Sequence, residues 1–314
     1  MTAVVEVQGL VRRYGALEAV RGISFTIPRG QVLGFIGPNG AGKTSTLRSM
    51  ATLDAPSEGQ ITICGHDTVQ APQEARRRIG WMPDAYGPYQ HMSAGEYLDF
   101  FARAYGFRGA ERRRRVAEVV DFTDLGDLLG REMKALSKGM AQRLCLGRAL
   151  LHDPDVLLLD EPAAGLDPKA RVEFKRLVRL LAAEGKTLFI SSHILTELEE
   201  MCDLLLLIVD GRIVHHGSAA ALKAGAAERV VVAVQVAGEA EALRAFALAQ
   251  AGVEALDPIP GGFRLGFESG GPDFLADMLR RMVEGGIRVV DFRREERRLE
   301  DAFIDVLRTA EKQP

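Results

Sequence analysis

Long apolar runs are missing from this 314-residue chain. The longest are short ones, such as Leu204 to Val209, whereas a helix that crosses a bilayer needs about 20 apolar residues. The chain is therefore not expected to span a membrane by itself, and any work at a membrane requires docking onto something that does. Cysteine is scarce: Cys64, Cys145 and Cys202 stand far apart, with no CxxC pair and no metal-ligand spacing. That excludes a disulfide framework and a zinc knuckle, and leaves buried thiols in a reducing compartment. A surplus of one charge is also lacking. Forty Lys and Arg against 43 Asp and Glu give a formal net charge of −3, so nothing overall points to nucleic acid. The opening, MTAVVEVQGLVRRYG, has no basic start followed by an apolar stretch of signal length. What the chain does have is 47% hydrophobic residues, sufficient for one large domain and a smaller one.

The pattern along the chain fits that division. VVEV (4–7), ISFTI (23–27) and VLGFI (32–36) read as strands, followed by a glycine-rich turn, a helical stretch from about 43 to 52, and a strand at 61–63. Residues 93–152 turn helical in periodicity, inside an insertion of about 85–153. Strand–helix alternation then resumes: VLLL (156–159), a helix near 168–184, TLFI (187–190), a helix near 194–201, and LLLLIV (204–209). Near-continuous apolar strands separated by helices indicate a sheet covered on both faces. The stretch 224–227, AGAA, is a plausible linker. Beyond it, strand 229–237, helix 239–250, strands 253–257 and 262–267, helix 272–284 and strand 287–293 give a β-α-β-β-α-β order, with a last helix at 297–311.

Two motifs carry chemistry. Gly37-Pro38-Asn39-Gly40-Ala41-Gly42-Lys43-Thr44 fits G-x-x-x-x-G-K-[ST] between an apolar strand and a helix. Glycines let backbone approach phosphate oxygens without a Cβ in the way. Amides of the loop and of the helix start, through Ser45, then face the anion. Lys43 supplies a point charge to the terminal phosphates, and the Thr44 hydroxyl can ligate Mg²⁺. The second motif is VLLL-Asp160-Glu161-Pro162, an apolar strand ending in two acids. At a strand end in an α/β sheet such side chains face the ligand crevice. Asp160 is placed to hold Mg²⁺, and Glu161 to act as general base toward the water that attacks the γ-phosphate.

Between these motifs lies Leu136-Ser137-Lys138-Gly139-Met140-Ala141-Gln142-Arg143, which resembles the LSGGQ signature of ABC (ATP-binding cassette) proteins. Gly165-Leu166-Asp167-Pro168 resembles that family's D-loop, Ser191-Ser192-His193 its switch histidine, and Tyr14 stands where the family places an aromatic on adenine. The resemblance covers roughly residues 3–220. It implies an α/β P-loop cassette with a mixed sheet and a helical subdomain (1–224); the β-α-β-β-α-β order beyond it reads as a small α+β ferredoxin-like domain (225–314), expected to be accessory or regulatory. It also implies an ATPase that uses ATP and Mg²⁺. Ser137 and Gly139 would contact the γ-phosphate held by a second copy, so a complete site needs two cassettes. Separate integral-membrane permease subunits would carry the cargo, leaving this chain peripheral at the inner, cytoplasmic face of the membrane. Taken singly, Tyr14 could be a packing residue and His193 a structural histidine; their order relative to the other motifs favours nucleotide.

The resemblance has departures. Asp84 stands where the family has a glutamine that contacts Mg²⁺ and the attacking water. An aspartate can still ligate a cation but adds negative charge near the phosphates. The alternative is a plain loop residue, with coupling through Tyr86 or Tyr89. Lys138 and Met140 within the signature resemble the branch serving drug, sodium or antibiotic exporters, as does RLEDAFI (298–304) near the end. The run Arg112 to Arg115 is expected to be a solvated helix face, given Glu111 and Glu118 beside it. Two other readings are a soluble ABC ATPase without a membrane partner and a nucleotide-gated regulatory module. A single cassette with no coiled coil or zinc site argues against the first; the second would show very slow turnover.

Overall fold

The computed structural model describes residues 3–85, 87, 89, 91–225, 230–250, 252–267, 270–295 and 299–311. Tyr86, residues 226–227 of the expected linker and Arg298 lie outside the described residues. The chain divides into two compact units, Met1–Ser218 and Ala219–Pro314. The division follows residue 218 rather than 224, because Ala219–Gly225 is a helix that packs against the last helix of the second unit.

In the first unit, β1 (Ala3–Tyr14) and β2 (Leu17–Pro28) form an antiparallel pair. The next strand, β3 (Val32–Ile36), is buried along its whole length. It feeds the glycine-rich loop and α1 (Lys43–Met50). Next come β4 (Glu58–Ile63), β5 (His66–Asp67), α2 (Pro72–Arg78) and β6 (Ile79–Met82). One four-stranded antiparallel sheet runs β2-β1-β4-β5. Helices α3 (Ala94–Ala104), α4 (Gly109–Phe122) and α5 (Lys138–Leu150) make up the helical insertion. A capping box starts α3: the Ser93 hydroxyl accepts from the Glu96 amide, and the Glu96 carboxylate accepts from the Ser93 amide at 2.8 Å. The arginine run of α4 is only partly a solvated face. Arg112 pairs with Asp99 at 2.8 Å, and Arg115 donates to the carbonyls of Leu150 and Leu151 at 2.6 and 2.7 Å. These are the open carbonyls at the end of α5, where a cation is favoured.

The alternation resumes with β7 (Val156–Leu159), α6 (Pro168–Ala183), β8 (Thr187–Ser192), α7 (Leu195–Met201), β9 (Leu204–Val209) and β10 (Arg212–Gly217). These strands join β3 and β6 in a six-stranded sheet, ordered β10-β9-β3-β8-β7-β6. All neighbours are parallel except β10, a hairpin partner of β9. The two sheets share a core in which Phe25 of β2, Phe35 of β3 and Phe189 of β8 stack at 5.1–5.5 Å. Register determines where the chemistry falls. Phe35 lies opposite Ser191, Ile190 opposite Leu159, and Leu159 opposite Met82. The carboxyl ends of β3, β8, β7 and β6 therefore finish at one edge of the sheet, where ligands of parallel sheets bind.

The second unit opens with α8 (Ala219–Gly225). It continues with β11 (Val230–Val236), α9 (Glu241–Ala249), β12 (Val253–Ile259), β13 (Gly262–Phe267), α10 (Pro272–Glu284), β14 (Val289–Glu295) and α11 (Leu299–Glu311). Its antiparallel sheet runs β12-β13-β11-β14, the strand order of a split β-α-β, ferredoxin-like arrangement. Alternate residues of β11, Val230, Val232 and Val234, pack onto Leu243 of α9 and Met278 of α10.

Candidate functional site: a phosphate loop facing two carboxylates

The loop between β3 and α1 is held open by its neighbours. Gly42 caps α1 with φ of +106°, and no side chain caps the helix start. Its first-turn amides are thus left without an intramolecular side-chain acceptor, a ready anion site. A Cβ on Gly42 would lie 2.4 Å from the Ala19 carbonyl oxygen, and one on Gly37 would lie 2.2 Å from that of Ile208. Gly40 has φ of +82° and open space around it. Pro38, Asn39 and Gly40 form the exposed tip, while Ala41, Gly42 and Lys43 are buried. The Ala41 carbonyl accepts from the Gly211 amide at 3.1 Å, and Gly211 in turn accepts from the Arg21 amide at 2.8 Å. The β9–β10 turn thereby ties the loop to β2.

Lys43 is 7% exposed. Its ammonium donates to the carbonyls of Gly37 and Pro38 at 2.7 and 3.2 Å, and lies 3.9 Å from Glu161 Oε1. Burial pulls its pKa down from the usual lysine value, and the charges of Glu161 and Asp160 oppose that. Thr44 is exposed and Ser45 half-buried.

Asp160, 2% exposed, and Glu161 leave the end of β7 side by side. Burial pushes the Asp160 carboxyl up from its ordinary value; hydrogen bonds from Ser191 and Thr44 pull it down, while the charges of Glu161 and Asp84 add to the rise. Asp84, exposed just past β6, thus exerts its charge on Asp160 across the strand ends. Glu161 adopts φ of +48°, a left-handed conformation that costs a non-glycine residue about 1–2 kcal/mol. Such strain is characteristic of working sites. Its amide donates to Ser191 Oγ at 2.9 Å, and its carboxylate lies 2.8 Å from His193 Nδ1. Because a carboxylate only accepts, Nδ1 carries the proton in that contact.

Lys43, Thr44, Asp160, Glu161, Asp84 and His193 are therefore brought together. Ser137 and Gly139 are elsewhere: among the described residues, no hydrogen bond or ion pair joins them to the phosphate loop. Ser137 caps α5, accepting from the Met140 amide at 3.3 Å. A Cβ on Gly139 would meet the Ala170 methyl of α6 at 2.8 Å. Asp167 caps α6 by accepting from the Ala170 amide at 2.9 Å. Tyr14 lies at the β1 end with its hydroxyl donating to Asp54 at 3.1 Å and one ring face under the Arg12 guanidinium at 4.4 Å. It is 41% exposed. The sequence reading named Ser191 only as part of a motif; its bonds to both acids depend on strand register.

Comparison with known proteins agrees with this layout. The family model described as ABC transporter matches residues 20–164. The ATP-binding protein NatA of Bacillus subtilis is 40% identical over 203 residues, 64% of this chain and 82% of that protein. The chain belongs to the ABC transporter ATP-binding protein family. The Nod factor export ATP-binding protein I of Ralstonia nicotianae is 39% identical, covering 69% of this chain and 67% of that one. The daunorubicin/doxorubicin resistance ATP-binding protein DrrA of Streptomyces peucetius is 36% identical, covering 73% and 70%. Among solved structures, an ATP-binding subunit of an ABC transporter superposes with a TM-score of 0.64 at 30% identity, over 71% of this chain and 92% of that one. A cassette solved as a dimer in a post-hydrolysis state with ADP and Pi superposes at 0.62 and 25%, over 68% and 98%. No helix among the described residues is long and apolar enough to cross a membrane.

Proposed function

We propose that this ABC protein is the ATP-hydrolysing subunit of an exporter, working as a pair of copies beneath separate membrane subunits. The observation that carries the reading is the meeting of Lys43, Asp160, Glu161 and His193 at one sheet edge, with Glu161 3.9 Å from Lys43 and 2.8 Å from His193. The Nod factor export relatives support the export direction, and likeness to ABC transporters supports separate membrane subunits.

In this reading the amides of 38–45 and Lys43 bind the β- and γ-phosphates. Glu161 accepts a proton from the attacking water, in a rigid position set by its left-handed backbone. His193, donating to Glu161 through Nδ1, has Nε2 left for the γ-phosphate; donation from both nitrogens requires the imidazolium form. The site residues suit Mg²⁺. Among the described residues no three His, Cys, Asp or Glu groups could hold a metal by themselves. Mg²⁺ needs only one or two protein oxygens beside phosphate and water. A buried carboxylate with a raised pKa is the kind of group a cation stabilises. Asp160 and Thr44 would hold it, with Asp84 nearby, and it would neutralise charge developing on the transferred phosphoryl group. The exposed Ser137 at the α5 start would contact the nucleotide of the second copy, and Asp167 and Tyr14 would line the rest of the pocket.

Glu161→Gln tests the reading. Turnover falls about 10²–10⁴-fold through loss of the general base, ATP binding persists, and an ATP-dependent dimer accumulates. Undiminished hydrolysis, or a variant that stays monomeric with ATP and Mg²⁺ both alone and with its membrane subunit, overturns it.

A further inference from the structure

Ser191 lies in β8, where Leu188, Phe189 and Ile190 are all buried and apolar. It has no solvent exposure. A hydroxyl in such a place must find its partners within the protein. It has two, and both belong to the acid pair. Ser191 Oγ donates to Asp160 Oδ1 at 2.6 Å and accepts from the Glu161 amide at 2.9 Å. The polarity of this bridge admits one arrangement. An amide can only donate and the carboxylate oxygen accepts, so the hydroxyl proton points at Asp160.

We infer that Ser191 is the positioning residue of the hydrolytic site, holding the Glu161 backbone in its left-handed turn while orienting the Asp160 carboxylate. The inference rests on Glu161 being the general base. Three features carry it. Glu161 has φ of +48°, so its aim depends on whatever keeps that conformation. Its amide is engaged by the Ser191 side chain and not by a strand carbonyl. The Asp160 amide is anchored on the other side, to the Met82 carbonyl at 2.9 Å, so the two consecutive residues are held from β6 and β8 in turn. Without the Ser191 hydroxyl, the Glu161 amide loses its side-chain acceptor and the buried Asp160 loses a donor. Among the described residues no hydrogen bond joins Ser191 to Lys43 or to the loop amides, so its link to nucleotide runs through the Asp160 carboxylate and the Mg²⁺ it would hold.

The test uses the purified full chain and four variants: Ser191→Ala, Ser191→Thr, Glu161→Gln and the Glu161→Gln/Ser191→Ala double. A positioning loss of about an ångström at a reacting group lowers turnover roughly 10²-fold. Ser191→Ala is therefore expected to lower kcat about 10- to 100-fold, with ATP affinity measured without Mg²⁺ within about twofold of wild type. Ser191→Thr, which keeps the hydroxyl, restores most of kcat. In the Glu161→Gln background, Ser191→Ala causes little further loss, because it acts through the missing base. Unchanged kcat in Ser191→Ala, failure of Thr to rescue, or an equal loss of kcat in both backgrounds overturns the inference. Should Ser191→Ala not fold, Ser191→Cys replaces it: a similar volume with a weak donor, expected to fall between Ala and Thr. If Glu161→Gln itself turns over normally, the base assignment fails instead, and the two failures are told apart.

Discussion

Gly42 and Gly40 of the phosphate loop do different work, and alanine substitutions separate them. At Gly42, alanine meets two obstacles. The φ of +106° lies outside the conformations open to a side chain, and the new Cβ would sit 2.4 Å from the Ala19 carbonyl oxygen. That oxygen belongs to the backbone of β2 and cannot swing aside. The backbone term costs about 1–2 kcal/mol and overpacking a further 1–3, together about 2–5 kcal/mol. For a unit of this size each kcal/mol moves Tm by about 2–4 °C, so nucleotide-free Gly42→Ala melts about 4–20 °C lower. Gly40→Ala meets no atom within 4 Å, and only its φ of +82° opposes the change. It costs about 1–2 kcal/mol, or about 2–8 °C. Its defect appears with ATP, because the open space at Gly40 is what a phosphate would use. ATP affinity is expected to fall at least tenfold, with no steric penalty added to the backbone one. Thermal melts without nucleotide, paired with equilibrium ATP binding, read both quantities. Equal destabilisation at the two positions, or wild-type ATP affinity in Gly40→Ala, refutes the reasoning.

Other outcomes follow from single contacts. Asp84→Gln removes a negative charge that reaches Asp160; ATP affinity is expected to become less dependent on Mg²⁺, and equal dependence in both proteins, measured by nucleotide titration with and without Mg²⁺, ends the idea. His152 donates from Nε2 to the Ile79 carbonyl at 2.9 Å, stacks on Tyr105 at 4.2 Å, and its buried Nδ1 has no hydrogen-bond partner among the described residues. Burial therefore pulls its pKa below the usual 6.5. A depressed folded pKa means the unfolded chain binds the proton first, so stability present above pH 6.5 is lost as pH falls through the folded value. His152→Phe is expected to flatten the Tm-versus-pH curve below pH 6.5; an unchanged slope counts against it. Ser93→Ala removes half of the α3 capping box and is expected to cost about 1 kcal/mol by denaturant unfolding, with no change in ATP affinity.

Sequence alone made the buried strands plain. VLGFI, VLLL and LLLLIV are apolar without interruption because both faces of the six-stranded sheet are covered, and β3, β7 and β9 fall on those residues. The phosphate loop and acid pair were legible because each is a short contiguous motif. Among what was not read, two things matter most. One is β10, RIVHHG, half-buried and therefore without a clean period. A signal was present: Asp210-Gly211 after an apolar run, which takes φ of +47° and +76° as a tight hairpin turn does. The other is Ser191, whose partners lie about 30 positions away in sequence and meet it only through the parallel register of β7 and β8. The inward turn of Arg112 and Arg115 escaped for a similar reason, since their acceptors lie on other helices or beyond them.

The bond from the Gly211 amide to the Ala41 carbonyl also says where the polypeptide can be cut. A minimal nucleotide-binding fragment ending with the motif histidine, or even with the last buried parallel strand, would discard the splint that bonds the loop's Ala41 carbonyl. Expression boundaries for crystallography or for grafting this ATPase onto another protein belong after residue 217, where the outermost hairpin is complete.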